Sequence, residues 1–107
     1  MRLSAEQRAE AIAALPGWTY DEQSGGGGGA IGRSFRFRDF AQAFAFMTQV
    51  ALAAEKADHH PDWSNSWNRV DISLTTHSEG GVSRRDVDLA ISIDAIAASL
   101  ALPETAH

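Results

Sequence analysis

The chain has 107 residues, of which 44% are hydrophobic, a formal net charge of −5 and no cysteine. This length fits one domain, residues 1–107, that buries roughly 65% of its unfolded surface. The lack of cysteine excludes disulfides, thiolate metal sites and a catalytic thiol, and the acidic balance argues against nucleic acid, whose binding rests on neutralising phosphates.

The N-terminal part of the chain predicts one helix and two strands. Ser4 caps the helix with Gln7 in the capping-box position, and Pro16-Gly17 ends it. Residues 18–20 predict a short strand, and residues 31–37 predict a second strand with alternating apolar and polar side chains. The glycine run 25–29 lacks the G-K-[ST] sequence of a phosphate loop, so we interpret it as a flexible connection between the strands.

A second helix is predicted for residues 40–56, with Asp39 as its cap and Gln42 completing the pair. Apolar side chains recur along it at helical spacing, which predicts a core-facing stripe. The stripe consists of Phe40, Phe44, Met47, Ala51 and Ala54, widened by Phe46 and Val50.

The C-terminal half predicts two more strands, near residues 64–67 and 69–75, and a third helix. Ser83 caps this helix, Asp86 occupies its third position, and Pro103 is expected to stop it. Its apolar face consists of Leu89, Ile93, Ile96 and Leu100. The order α-β-β-α-β-β-α predicts an α+β fold, a four-stranded antiparallel sheet with three helices packed on one face.

The chain shows no sequence signal for a membrane or for export. No apolar run approaches about 18 residues, and no charged start precedes an apolar block. The sequence therefore predicts a cytoplasmic protein with no membrane partner.

The stretch E-K-A-D-H-H-P-D-W, residues 55–63, places two of the four histidines side by side. Pro61 pushes His60 into an extended conformation, so the pair lies at a corner between a helix and a loop. Catalytic groups are often carried by such loops at the ends of rigid elements. His77 ends the strand of residues 69–75, and pairing of that strand with the one after the corner would bring the three imidazoles together.

Three interpretations of these histidines compete. They are ordinary surface residues, or metal ligands, or general acids and bases. Imidazole suits zinc, but adjacent residues of an extended chain point to opposite sides, which is poor spacing for one ion. Imidazole also titrates near neutral pH and both gives and takes protons. Residue chemistry alone does not separate the first interpretation from the third.

The chain resembles the pterin-4a-carbinolamine dehydratase family over nearly its whole length. The resemblance rests on E-K-A-D-H-H-P-D-W, W-N-R-V-D-I-S-L-T-T-H and S-R-R-D-V-D-L-A, in that order. Upstream it extends through F-R-F-R-D-F-A-Q-A-F. The glycine run 25–29 and the bare Gly80-Gly81 loop depart from the family pattern without touching these motifs.

The resemblance implies a reaction and a set of residues. A 4a-hydroxytetrahydropterin, released by an aromatic amino acid hydroxylase, loses water to give the quinonoid dihydropterin, with neither metal nor other cofactor required. His59, His60 and His77 then carry the proton transfers, supported by Asp86. The substrate-binding residues implied by the same pattern are Glu55, Pro61, Trp63 and Thr76.

Several of these residues also have plain structural explanations. Asp86 can serve only to complete the Ser83 cap, and Glu55 can be a solvated residue of the last helical turn. Trp63 offers a flat surface for a pterin but equally suits the core, and Pro61 matters mainly for shape. A carboxylate beside an imidazole would also favour its protonated form.

Two other functions stay open, a non-catalytic dimerisation module and a dehydratase for another pterin, linked to molybdenum cofactor metabolism. Edge strands and the family pattern both predict a homodimer or homotetramer.

Overall fold

The computed structural model describes residues 1–105, with side chains described through residue 100. Its helices are α1 (Ala5–Ala13), α2 (Phe40–Ala57) and α3 (Arg84–Thr105), and its strands are β1 (Thr19–Asp21), β2 (Ala30–Arg36), β3 (Asp62–Ser66) and β4 (Arg69–Leu74). This is the predicted order of elements, and it confirms the α+β fold. Within these residues, no helix is both long enough and apolar enough to cross a membrane.

The four strands form one antiparallel sheet in the order β1-β2-β4-β3. Because side chains alternate along a strand, each strand presents one face to the helices. The helix-facing residues of the two central strands are buried: Ile31, Phe35, Val70, Ile72 and Leu74. The other face is polar; there the Ser34 hydroxyl donates to Asp71 at 2.5 Å and lowers the pKa of that carboxyl.

Helices α2 and α3 pack on each other and cover the apolar face of the sheet. Asp94 ties α3 to the sheet by hydrogen bonds. Its Oδ1 accepts from the Trp18 indole at 2.9 Å and from Arg33 at 2.8 Å. Trp18 is buried just before β1. Asp94 therefore links the middle of α3 to the start of the sheet.

The predicted core stripe of α2 is right in part, since Phe46, Val50 and Ala54 are buried but Phe40 and Phe44 are not. Phe40 and Phe44 are 50% and 56% exposed, whereas the buried face consists of Gln42, Ala43, Phe46, Val50 and Ala54. No charged residue stands between Phe40 and Ala54, so apolar periodicity does not single out one face. Gln42 helps to choose it, because its side chain accepts from Arg38 N–H and donates to the Leu100 carbonyl.

The predicted boundaries hold to within about two residues. β1 begins at Thr19 rather than residue 18, and β3 begins at Asp62, directly after Pro61. Helix α3 continues to Thr105, past Pro103, so the expected stop is wrong. A proline removes one backbone hydrogen bond but does not prevent the residues after it from keeping helical dihedrals.

The two glycine segments that depart from the family pattern contact each other. Residues 25–27 form a 3₁₀ turn between β1 and β2, and the backbone of Gly28 lies against that of Gly80. A Cβ atom at Gly81 would lie 2.7 Å from the Gly28 carbonyl oxygen. The side chain of Thr75 adds a hydrogen bond to the Gly29 carbonyl at 2.8 Å. The glycine run therefore supports the loop that follows His77.

Candidate active site

The histidine pair follows directly from the way α2 ends. Asp58 closes the helix in the left-handed conformation, with φ 52° and ψ 43°. The His59 N–H then donates to the Ala54 carbonyl at 3.1 Å, which caps the last turn. After this reversal Pro61 leads into β3, so His59 and His60 stand at a sharp corner, as the sequence predicts.

His59 is buried and contacts a carboxylate. Its Nε2 lies 2.5 Å from Oδ1 of Asp86, which is fully buried on the first turn of α3. An ionised carboxylate can only accept, so the proton of this bond belongs to the imidazole nitrogen. With Asp86 ionised and the imidazole neutral, the proton of His59 lies on Nε2 and the lone pair on Nδ1.

Asp86 also holds the start of α3 together. Its Oδ2 accepts from the Ser83 N–H at 2.8 Å and from the Thr76 hydroxyl at 2.8 Å. The Thr76 and Ser83 hydroxyls are 2.7 Å apart and share a further hydrogen bond. The helix-capping and His59-facing interpretations of Asp86 are thus compatible, because each uses a different carboxylate oxygen.

His60 points the other way. Its Nε2 lies 2.8 Å from Glu55 Oε1, and both side chains are well exposed. Glu55 therefore contacts His60, not the buried His59. The opposite directions of the two rings follow from the extended backbone before Pro61. Within residues 1–105 no cluster of three or more His, Cys, Asp or Glu side chains is arranged to hold a metal ion.

A cleft of about 340 Å³ brings the three histidines together. His77 reaches it from a 3₁₀ turn (His77–Glu79) after β4, because β3 and β4 pair antiparallel and bring the end of β4 beside the corner. The lining residues are Asp58, His59, His60, Pro61, Asp62, Thr75, Thr76, His77, Ser78 and Arg85. The convergence expected from the strand order is therefore present.

The cleft includes two of the four predicted substrate-binding residues and leaves out Glu55 and Trp63. Pro61 and Thr76 line it, although the Thr76 hydroxyl is already hydrogen-bonded to Asp86 and Ser83. Trp63 does not line it, because its half-buried side chain lies on the helix-facing side of β3 and packs against the core.

One lining residue, Arg85, was not predicted from the sequence. Its guanidinium donates from Nη2 to the Asp58 carbonyl at 2.5 Å, so it joins α3 to the histidine corner. The available signal was its position directly before Asp86. A basic residue beside another arginine at a helix start reads as an ordinary surface residue, so that signal was weak.

The arrangement is suited to moving protons within a small polar molecule. A buried carboxylate fixes the proton of one imidazole, and two exposed imidazoles face the same cleft. The Thr76 hydroxyl does contact a carboxylate, but it is buried and bonded to both Asp86 and Ser83, so it is poorly placed to act as a nucleophile. General acid–base chemistry fits this inventory.

The chain is similar to known proteins over most of its length. The family model described as pterin 4 alpha carbinolamine dehydratase matches residues 1–96. A Rhizorhabdus wittichii protein provisionally named pterin-4-alpha-carbinolamine dehydratase is 62% identical over 95 residues, covering 89% of this chain and 94% of its own. A Bradyrhizobium protein with the same provisional name is 56% identical over 100 residues, covering 94% of this chain and 97% of its own.

Two solved structures resemble this chain in their fold. A Brucella melitensis crystal structure, described as a transcriptional coactivator/pterin dehydratase, superimposes with a TM-score of 0.84 at 49% identity. It covers 91% of this chain and 99% of its own. A pterin dehydratase-like protein identified as a RuBisCO assembly factor shares the fold at a TM-score of 0.63 and 23% identity, covering 75% of this chain and 88% of its own.

Proposed function

The chain belongs to the pterin-4a-carbinolamine dehydratase family, and on that basis we propose that it dehydrates a 4a-hydroxytetrahydropterin to the quinonoid dihydropterin by histidine acid–base catalysis. The observation that carries the proposal is the His59–Asp86 pair, set in a cleft that His60 and His77 also line.

The reaction needs two proton transfers and no redox change. The C4a–O bond breaks as the hydroxyl takes up a proton and leaves as water. The lone pair of the neighbouring ring nitrogen forms the new C=N bond, and that nitrogen gives up its proton. One group must therefore accept a proton while another donates one.

His59 is the residue best placed to act as the base. Its Nε2–H is held by Asp86, so Nδ1 offers the lone pair, and the carboxylate stabilises the imidazolium that forms. Because this pair is buried, solvent screens its interaction little.

His60 and His77 are the candidates for holding and protonating the leaving hydroxyl. Both line the cleft and both reach solvent, which would let them regain a proton after each turnover. Glu55 holds the His60 ring through Nε2, which leaves the other nitrogen of that ring for the substrate. Of the two, His60 has the better defined orientation, because Glu55 holds its ring.

The remaining predicted site residues take supporting roles in this proposal. Pro61 fixes the shape of the corner, and Thr76 keeps Asp86 in place through its hydroxyl. Trp63 stabilises β3 from the core side rather than stacking on the pterin. In the cell, the reaction would return the pterin to a form that can be reduced for an aromatic amino acid hydroxylase, in the cytoplasm.

A direct test measures loss of a 4a-hydroxytetrahydropterin generated by an aromatic amino acid hydroxylase, with and without the purified chain. We expect dehydration above the spontaneous rate, and a loss of that increase in His59→Gln. Thr48→Ala is the matched control, because Thr48 lies on the exposed face of α2 away from the cleft. A rate equal to the spontaneous one would refute the proposal and favour a non-catalytic module.

A further inference from the structure

We infer that Arg85 is a positioning residue for the dehydration, because it fixes the backbone of the corner that carries His59 and His60. The inference deepens the proposed function and rests on it. Its starting observation is the hydrogen bond from Arg85 Nη2 to the Asp58 carbonyl oxygen at 2.5 Å, across 27 positions of sequence.

The corner needs an external support at this carbonyl. Asp58 adopts a positive φ of 52°, in the left-handed region that aspartate tolerates better than most side chains but still visits only occasionally. Its N–H is bonded within α2, to the carbonyls of Ala54 and Glu55, whereas its carbonyl points away from the helix toward Arg85. A cation beside the last carbonyls of a helix also interacts favourably with the helix dipole.

Arg85 and Asp86 together hold the corner at two adjacent points. Asp86 holds the His59 ring, and Arg85 holds the carbonyl of the residue before it. A single attachment at the ring would leave the backbone free to pivot about the His59–Asp86 bond. Two attachments from one helical turn fix the direction of His59 Nδ1, and with it the start of the extended segment that presents His60.

The neighbouring arginine shows what an ordinary surface residue on this turn does. Arg84 pairs with Asp88 at 3.1 Å on the same exposed helix face, an i,i+4 pair of the kind that contributes little. Arg85 instead crosses to another element, and its side chain lines the cleft. The two residues therefore make a matched pair for mutation.

The experiment compares Arg85→Ala, Arg85→Lys and Arg84→Ala by steady-state kinetics, and records the imidazole resonances of His59 by NMR without substrate. We expect Arg85→Ala to lower kcat by about 10- to 100-fold with little change in KM, since a displacement near 1 Å has an effect of that size. Its His59 resonances should shift, those of Arg84→Ala should not, and Arg85→Lys should recover part of kcat by keeping one donor.

Each contrary outcome has a defined meaning. Unchanged kcat in Arg85→Ala, or a rise in KM alone, would overturn the positioning role, as would His59 resonances that match those of the wild type. If Arg85→Ala does not fold, Arg85→Lys is judged by the same kcat and resonance criteria. A wild-type chain without dehydratase activity would refute the proposed function, whereas the His59 resonances would still decide whether Arg85 orders the corner.

Discussion

Replacing Asp86 with asparagine is expected to abolish most of the catalysis while leaving the chain folded. The carboxylate accepts three hydrogen bonds, from His59, Thr76 and Ser83. An asparagine of the same shape keeps one oxygen, which can still accept from Thr76 and Ser83. Its NH₂ group then faces His59, and because it can only donate, Nε2 of His59 must become the acceptor.

The expected losses of rate and stability follow from this change of the His59 tautomer. The His59 proton moves to Nδ1, so the nitrogen proposed as the base no longer has a lone pair. A base contributes about 10²–10⁴-fold, and a carboxylate-to-amide change that imposes the wrong tautomer reaches about 10⁴-fold in serine proteases. Stability should fall less severely, by about 1–3 kcal/mol, because bonds to a charged oxygen are replaced by bonds to a neutral one.

The assay combines turnover per folded molecule with urea unfolding and NMR detection of the His59 tautomer. Ser83→Ala is the control, because it weakens the same helix cap, by about 0.5–2 kcal/mol, and leaves the carboxylate on His59. We expect it to keep wild-type turnover when folded. A folded Asp86→Asn variant with wild-type kcat would refute the reasoning, and equal slowing of both variants would make Asp86 a structural residue only.

Three further outcomes are expected. His59→Ala and His60→Ala should each lower turnover by about 10²–10⁴-fold. Only His59→Ala should lower the unfolding free energy, because it leaves the buried Asp86 with one partner fewer. Wild-type turnover in both variants would contradict the assignment. Chelator treatment should leave the rate unchanged, and elemental analysis that finds stoichiometric zinc lost together with activity would argue otherwise. The chain should sediment as a homodimer or homotetramer at micromolar concentration. Phe44→Glu, on the exposed apolar face of α2, should reduce the sedimentation mass. A wild-type sedimentation mass of one chain would contradict self-association.

The sequence predicts the order of elements well because their signals are local. The Ser4–Gln7 capping box forms as expected, and the alternation of Val70, Ile72 and Leu74 places them on the buried face of β4. The burial of α2 is not predictable in this way. Its length from Phe40 to Ala54 carries no charge, so contacts with α3 and the sheet decide which side faces the core.

The candidate site is likewise predictable from the sequence only in part. Pro61 forces the extended corner, and antiparallel pairing of β3 with β4 brings His77 to it, so the cleft follows from local rules and topology. Which ring each carboxylate contacts does not follow. Asp86 reaches His59 and Glu55 reaches His60 because of how α3 crosses the end of α2, a contact between segments far apart in sequence. Arg85 was missed for the same reason.

The Asp94 anchor gives the protein its own optical reporter. Trp18 is buried and its indole is tied to α3, whereas Trp67 lies 65% exposed in the turn between β3 and β4. Their fluorescence should differ in wavelength, with Trp18 emitting toward the blue and responding when α3 leaves the sheet. Trp63 is half-buried as well, so a Trp63→Phe background isolates the emission of Trp18. In that background, emission from Trp18 follows the docking of the helix that also carries Arg85 and Asp86. A variant that loses activity but keeps this blue emission has kept its fold.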